Sequence, residues 1–119
     1  MLVCIINKIF YFYIIKVNSA DDYLRVFEKI DRAFGAEVAS NLHCHFSKIE
    51  YTSSGEKKHL AFEDTVFGPD YEPFVEAIVK ERLSPTVICE SAGTQSTDAL
   101  TMKTLYESML RKGKSYVKT

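Results

Sequence analysis

The chain has 119 residues, enough for one domain with a buried core. Its 15 basic and 16 acidic residues give a formal net charge of -1, which argues against a general polyanion binder, because such proteins carry a cationic excess. Cys4, Cys44 and Cys89 are odd in number and lack paired CxxC spacing. We therefore expect reduced core thiols in a cytoplasmic protein, with thiolate metal ligands as the alternative.

The first segment, residues 1–17, is almost entirely apolar or aromatic. It is interrupted by Asn7, Lys8 and Lys16, and it is shorter than the about 20 apolar residues that a membrane span needs. Its β-branched and aromatic residues favour one or two buried strands, with a helix as the alternative. A signal peptide over residues 1–19 is the alternative to a cytoplasmic location.

The next segment, Asp21 to Phe34, has apolar residues at near-helical spacing with charged residues between them. Ser19 or Asp21 can cap its beginning and Gly35 can end it. This pattern predicts a surface helix whose apolar stripe packs on a sheet.

A strand is predicted from Glu37 to Phe46. The two-residue period places His43 and His45 on one face and the apolar residues on the other. Two imidazoles on one strand face could hold a metal or contact a phosphate. The structural alternative is a pair of hydrogen-bonded, partly buried histidines.

The stretch from Ser47 to Lys58 is predicted to be a functional loop. At its exit, Glu56, Lys57, Lys58 and His59 supply a carboxylate, two cations and an imidazole. The alternative is a solvated run of charges. Residues 59–62 could form a short strand or the return of the loop.

Three further elements follow in close succession. A helix from Tyr71 to Leu83 is predicted after a capping aspartate, then a strand from Thr86 to Cys89, and then a helix from about Thr97 to Arg111. Gly113 is expected to end the last helix, leaving residues 114–119 as a loose tail.

Helices and strands thus alternate with short connections, which predicts an α/β fold with parallel strands and covering helices. Glu90 comes directly after the strand Thr86 to Cys89. The carboxyl ends of parallel strands are where α/β proteins place their chemistry. The sequence therefore predicts a site at Glu90 and the histidines of the earlier strand.

Several short motifs occur in an informative order: His43-Cys-His45-Phe-Ser-Lys48, Gly55-Glu-Lys-Lys-His59-Leu, Phe67-Gly-Pro-Asp70-Tyr, Ile88-Cys-Glu90-Ser-Ala-Gly-Thr-Gln, Asp98-Ala and Met102-Lys. Together they resemble the carboxy-terminal half of the endonuclease IV family. These are apurinic/apyrimidinic endonucleases of the xylose isomerase-like barrel superfamily. The resemblance covers about Asp21 to Lys112.

The resemblance implies a partial TIM barrel, formed by the last three βα units over residues 18–113, with residues 1–17 foreign to the family. It further implies a zinc cluster at the carboxyl ends of the strands and hydrolysis of the DNA backbone beside abasic sites. The damaged nucleotide would be turned out of the base stack into the site.

By position, His43 matches a histidine ligand at the end of the sixth barrel strand, and Glu90 matches a glutamate ligand after the eighth. The resemblance makes these two residues both metal ligands and catalytic residues. An Asp-x-His ligand pair of the family falls on Glu56 and Lys58. A protonated lysine has no lone pair for a metal, so either His59 takes its place, or fewer metals bind, or the loop is built differently. The expected phosphate contacts are His45, Lys48 and Lys58.

The ligands that the family carries on earlier strands have no counterpart in this chain, and a whole barrel needs about 250 residues. We therefore expect the isolated chain to be weakly active or inactive, and to self-associate through exposed strand edges. One alternative is a non-catalytic remnant or interaction module of the fold. Another is a sugar isomerase or epimerase of the same superfamily.

Overall fold

The computed structural model describes residues 2–6, 10–14, 19–52, 55–65 and 67–117. These ranges form strands and helices in the order β1 (Leu2–Ile6), β2 (Phe10–Ile14), α1 (Ala20–Phe34), α2 (Ala36–Ser40), β3 (His43–Phe46), β4 (Lys48–Thr52), β5 (Gly55–Leu60), α3 (Tyr71–Lys80), β6 (Thr86–Cys89) and α4 (Gln95–Val117). The predicted α/β class is confirmed.

The main sheet has four strands in the order β2-β1-β3-β6. β3 and β6 are parallel neighbours, with His43 opposite Thr86 and Phe46 opposite Cys89. β1 pairs antiparallel with both β2 and β3, so the prediction of strands in the first segment is confirmed. The three successive parallel βα units of the prediction are reduced to two, β3-α3 and β6-α4, in the part of the chain that the structure describes.

The predicted loop from Ser47 to Lys58 is wrong in its conformation, because β4 and β5 form an antiparallel hairpin with an irregularity between Glu50 and Tyr51. The reason lies in the local sequence. Ile49, Tyr51 and Thr52 are strand-forming residues, and the Ser-Ser-Gly run that follows is typical of a hairpin turn. The hairpin forms a separate two-stranded sheet, so the next described strand of the main sheet after β3 is β6.

Several helix boundaries also differ from the prediction, and α3 ends at Lys80 instead of Leu83. The segment expected to begin a strand at Glu37 instead forms the short helix α2, because Gly35 turns the chain at a φ of 94° and Ala-Glu-Val-Ala favours a helical turn. α4 continues past Gly113 to Val117, so it overlaps the predicted tail 114–119. Residues 118 and 119 lie outside the described ranges.

One face of the sheet carries the core. Ser19 caps α1 through a reciprocal pair of hydrogen bonds with Asp22. The apolar stripe of α1, which includes Tyr23, Phe27 and Ile30, is buried on this face of the sheet together with residues of α3, α4 and the strands, among them Phe46 and Phe74. The rings of Phe46 and Phe74 stack with centroids 5.0 Å apart, which joins β3 to α3.

The opposite face of β3 and β6 carries His43, His45, Thr86 and Ile88, because strand side chains alternate between the two faces. The predicted division of the histidines from the apolar residues of β3 is therefore confirmed. Within the described residues, no helix has the length and apolar character needed to cross a membrane.

Candidate functional site

The site begins where β3 and β6 end. Because the two strands are parallel neighbours, their carboxyl ends meet at one edge of the sheet. The backbone N–H of Glu90 donates to the carbonyl of Phe46 at 3.0 Å, which extends the ladder by one residue. Glu90 therefore follows the buried Cys89 onto the opposite face, where the histidines of β3 lie.

Glu90 contacts His45 directly, through its Oε1 atom and Nδ1 of the imidazole. On the other side of the same ring, Nε2 of His45 lies 3.1 Å from Nε2 of His43. A neutral His45 satisfies both contacts when its proton is on Nδ1 and is donated to Glu90, leaving Nε2 to accept from His43. A carboxylate thus orients a pair of imidazoles, both of which are partly buried; the side chain of His45 is 24% exposed and that of Glu90 is 32% exposed.

His59 enters from the β4-β5 hairpin and approaches the second oxygen of the same carboxylate. Its Nε2 is 3.8 Å from Oε2 of Glu90. Its Nδ1 is hydrogen-bonded to Oγ of Ser47 at 2.6 Å, and Ser47 is fully buried. We call these five residues, His43, His45, Ser47, His59 and Glu90, the His–Glu cluster.

Ser47 is the member of the cluster to which the sequence reasoning assigned no role. It occurs two residues after His45, at the point where the chain leaves β3 and starts the hairpin. A serine in that position can form a hydrogen bond with a side chain on the second strand of the hairpin. A prediction of a loop in place of the hairpin gives no reason to expect this hydrogen bond. Its position explains how His59 is held beside Glu90.

Lys48 has a different role from the predicted phosphate contact. It is buried, and its Nζ donates to the carbonyl oxygens of Phe62 and Asp64 and lies 3.3 Å from Oδ1 of Asp70. A lysine has three N–H donors, and these three acceptors occupy them. Lys48 therefore anchors the segment after the hairpin, and a phosphate contact would have to replace one of these three interactions.

The hairpin also carries the predicted residues Lys58 and Glu56. Lys58 is 62% exposed, and its Nζ is 3.9 Å from Oε2 of Glu50. Glu56 pairs with Tyr51 in the β4-β5 ladder, and its side chain lies outside the described part of the structure. Among the predicted hairpin residues whose side chains the structure describes, His59 approaches Glu90.

The segment around the site is held by Asp98 of α4. This buried carboxylate accepts hydrogen bonds from the backbone N–H of Phe62 and from Oγ1 of Thr94, both at 3.0 Å. It therefore ties the end of the hairpin to the turn after Glu90. Together, burial and the Asp98 carboxylate raise the pKa of the Cys89 thiol to about 11.

The cysteines lie on the helix side of the sheet, away from the His–Glu cluster. All three are buried and free, which confirms the prediction of reduced core thiols. Sγ of Cys4 is 3.8 Å from Sγ of Cys44, and this contact, with burial, raises the pKa of the Cys44 thiol far above its ordinary value. Buried, protonated thiols of this kind contribute to the packing of the core.

The described residues contain no group of three or more His, Cys, Asp or Glu side chains arranged to hold a metal ion. The His–Glu cluster contains one contact between two imidazoles, and one carboxylate that lies between two imidazoles. In chemical terms this arrangement can bind a cation through nitrogen and oxygen, or move a proton along the hydrogen-bonded line from His43 through His45 to Glu90.

The fold and the cluster define a small α/β unit with a histidine–carboxylate site at the carboxyl ends of two parallel strands. No family model and no solved structure matches the chain. Over 87 residues, 73% of the chain, it is 32% identical to an uncharacterized protein of Methanocaldococcus jannaschii, MJ0133. The aligned residues are 31% of that protein, so the chain spans about a third of the relative's length.

Proposed function

We propose that the chain carries the His–Glu part of an endonuclease IV-like site and acts, weakly on its own, as a zinc-dependent hydrolase of the DNA backbone at abasic sites. The observation that carries the proposal is the meeting of His43, His45 and Glu90 at the carboxyl ends of two parallel strands, with His59 beside the same carboxylate. Barrel enzymes place their chemistry at this end of their strands.

The likeness to a longer protein supports the barrel part of the proposal. Because 87 aligned residues are 31% of MJ0133, that protein has about 280 residues, which is the size of a TIM barrel (about 250 residues). The helices of the chain lie on one face of its parallel pair, as in a barrel wall. The face with His43 and His45 would then line the barrel's interior.

The donor set of the cluster fits zinc in its chemistry, since imidazole nitrogens and a carboxylate oxygen are zinc ligands. The Nε2 atoms of His43 and His45 are 3.1 Å apart. Two ligand atoms on one tetrahedral zinc ion, each bonded at about 2.0–2.1 Å, are about 3.3 Å apart. His43 and His45 would hold the ion through Nε2, with the proton of His43 on its Nδ1, and Glu90 would act on the ion through the ring of His45. When bound, zinc supplies the positive charge that polarises a phosphodiester and acidifies water.

The chain's own residues then have separable tasks. Glu90 keeps the proton of His45 on Nδ1, so that Nε2 of His45 presents its lone pair. Ser47 fixes the ring of His59 beside Glu90. Lys58 is exposed on the hairpin and can contact a DNA phosphate.

The test is incision of a duplex with one abasic site, measured with protein in excess over DNA so that a weak activity is visible. We expect zinc-dependent incision that a chelator abolishes and that Glu90→Gln reduces to background. Glu107→Gln, the same change at an exposed position of α4, is the matched control and should retain the wild-type rate. Equal rates for wild type and Glu90→Gln, or no incision with zinc added, would overturn the proposal.

The test also separates the alternatives. A non-catalytic remnant of the fold would leave the abasic duplex intact and could still bind it. A sugar isomerase or epimerase of the same superfamily would leave the duplex intact and lack affinity for it. DNA binding measured by fluorescence anisotropy alongside incision distinguishes these two outcomes.

A further inference from the structure

The strand β6 lies at an edge of the main sheet. On the side of β3, the backbone N–H of Thr86 donates to the carbonyl of Leu42, just before β3, at 2.8 Å, and that of Glu90 donates to the carbonyl of Phe46 at 3.0 Å. Because strand backbone groups alternate between the two sides, the N–H and C=O groups of Val87 and Cys89 point away from β3. Within the described residues these groups have no backbone partner, so β6 presents two residues ready for pairing with another strand.

Apolar surface borders this edge on both faces of the sheet. On the open face, Ile88 is 42% exposed. On the helix face, a cavity of about 440 Å³ runs between α3 and α4, and its lining includes Val87, Cys89, Met102 and Tyr106. The edge strand also lacks the charged residues with which natural edges discourage pairing, since Thr86 to Cys89 is uncharged.

We propose that β6 pairs antiparallel with β6 of a second copy of this chain, forming a two-fold dimer with a continuous eight-stranded sheet. The outward-facing residues determine the register. Val87 of each copy pairs with Cys89 of the other, which satisfies the N–H and C=O groups of both residues. The two-fold axis then passes between the two copies of Ile88.

This register is self-complementary in its side chains. The two Ile88 side chains face each other across the axis, in the close non-hydrogen-bonded position where cross-strand pairs pack best. Thr86 lies opposite Glu90 of the second copy, so no two like charges are opposed. The net charge of -1 adds little repulsion between copies. An exposed apolar residue and a free edge are thus buried by one symmetric contact.

The helix layers must contribute as well, because a four-residue edge is too small for a stable interface of about 1,200 Å² or more. In the proposed dimer, the helices of the two copies meet on the same side of the sheet, where the cavity of each copy opens beside β6. The apolar lining from Met102 and Tyr106 would pack there against the second copy. The dimer does not depend on the proposed hydrolase activity.

The first test is the oligomeric state by sedimentation equilibrium over a wide range of protein concentration. We expect a reversible dimer for the wild type and a monomer for Ile88→Lys, because this change places two ammonium groups at the axis. Thr86→Lys is the matched control: it adds the same charge to the same face of β6, opposite Glu90 of the second copy, and should remain dimeric. Circular dichroism checks that both variants are folded.

A second test reads the register directly. Under mild oxidation, Ile88→Cys should give a disulfide-linked dimer, since residues opposite each other at the axis are within disulfide reach. Thr86→Cys should not, because its two copies lie four residues apart along the sheet. A monomeric wild type at every concentration, or cross-linking as efficient for Thr86→Cys as for Ile88→Cys, would overturn the proposed dimer.

Discussion

Nδ1 of His45 contacts Oε1 of Glu90 although the two residues are 45 positions apart in sequence. The contact exists because β3 and β6 are adjacent and parallel, and because each residue lies at the carboxyl end of its strand on the same face. The carboxylate fixes the tautomer of the imidazole, and with it the direction in which Nε2 presents its lone pair. This relationship gives the pair of histidines a defined orientation.

If Glu90 orients His45 for a metal, then Glu90→Gln should weaken zinc binding while leaving the protein folded. Loss of such an orienting carboxylate lowers metal affinity about 10- to 100-fold. Competition with a chromogenic chelator measures the affinity, and Glu107→Gln on the exposed face of α4 is the control. An unchanged affinity would show that His45 needs no orientation from Glu90.

Ser47→Ala should release the ring of His59 from its position beside Glu90. The variant loses one buried hydrogen bond at 2.6 Å, for which we expect a destabilisation of about 0.5–1.5 kcal/mol. Urea unfolding measures the change, with the exposed Ser84→Ala as the control. A loss of zinc affinity in the same variant would connect His59 to the metal. A Ser47→Ala protein as stable as Ser84→Ala would contradict the structural role of Ser47.

The two lysines near the site should behave in opposite ways. Lys48→Met leaves the carbonyls of Phe62 and Asp64 without their buried donor, so it should reduce stability by about 1–3 kcal/mol for each unsatisfied group. Lys58→Met changes an exposed side chain and should alter stability by less than about 0.5 kcal/mol. Urea unfolding of both variants compares the two effects.

For DNA binding, we expect the loss of Lys58 to have the larger effect. If Lys58 contacts a phosphate, its loss should weaken binding of an abasic duplex and reduce the salt dependence by about one unit of slope. Anisotropy titrations at several salt concentrations measure this slope. An unchanged slope for Lys58→Met would remove Lys58 from the DNA-binding surface.

The strand Thr86–Cys89 was predictable from the sequence with the bounds that the structure shows, because a short apolar run is a local signal. The placement of His43 and His45 on one face was predictable as well, because a two-residue period is also a local signal. The hairpin β4-β5 and the role of Ser47 were not predicted. The signals of the hairpin are local, namely strand-forming residues followed by Ser-Ser-Gly. The role of Ser47 depends instead on a side chain that returns on β5, a tertiary contact that no short window contains. The burial of Lys48 could not be predicted for the same reason, because it depends on tertiary contacts with Phe62, Asp64 and Asp70.

The last prediction concerns alkaline pH. The ordinary pKa of a cysteine thiol is 9.0, and burial together with Asp98 raises the pKa of Cys89 to about 11 in the folded protein. Below pH 9 the thiol is protonated in both states. Between pH 9 and pH 11 the unfolded chain releases this proton while the folded chain retains it, so stability should fall as the pH rises. Burial also raises the pKa of Tyr23, which adds to the fall.

Thermal unfolding followed across this range should therefore show a midpoint that decreases from pH 9 upward. Cys89→Ala removes the contribution of this thiol, so the midpoint of the variant should decrease less steeply than that of the wild type, although its value near neutral pH will differ because a buried sulfur is lost. The comparison of slopes, not of absolute midpoints, is the measurement. Identical slopes in the two proteins would mean that Cys89 titrates in the folded chain as it does in the unfolded one.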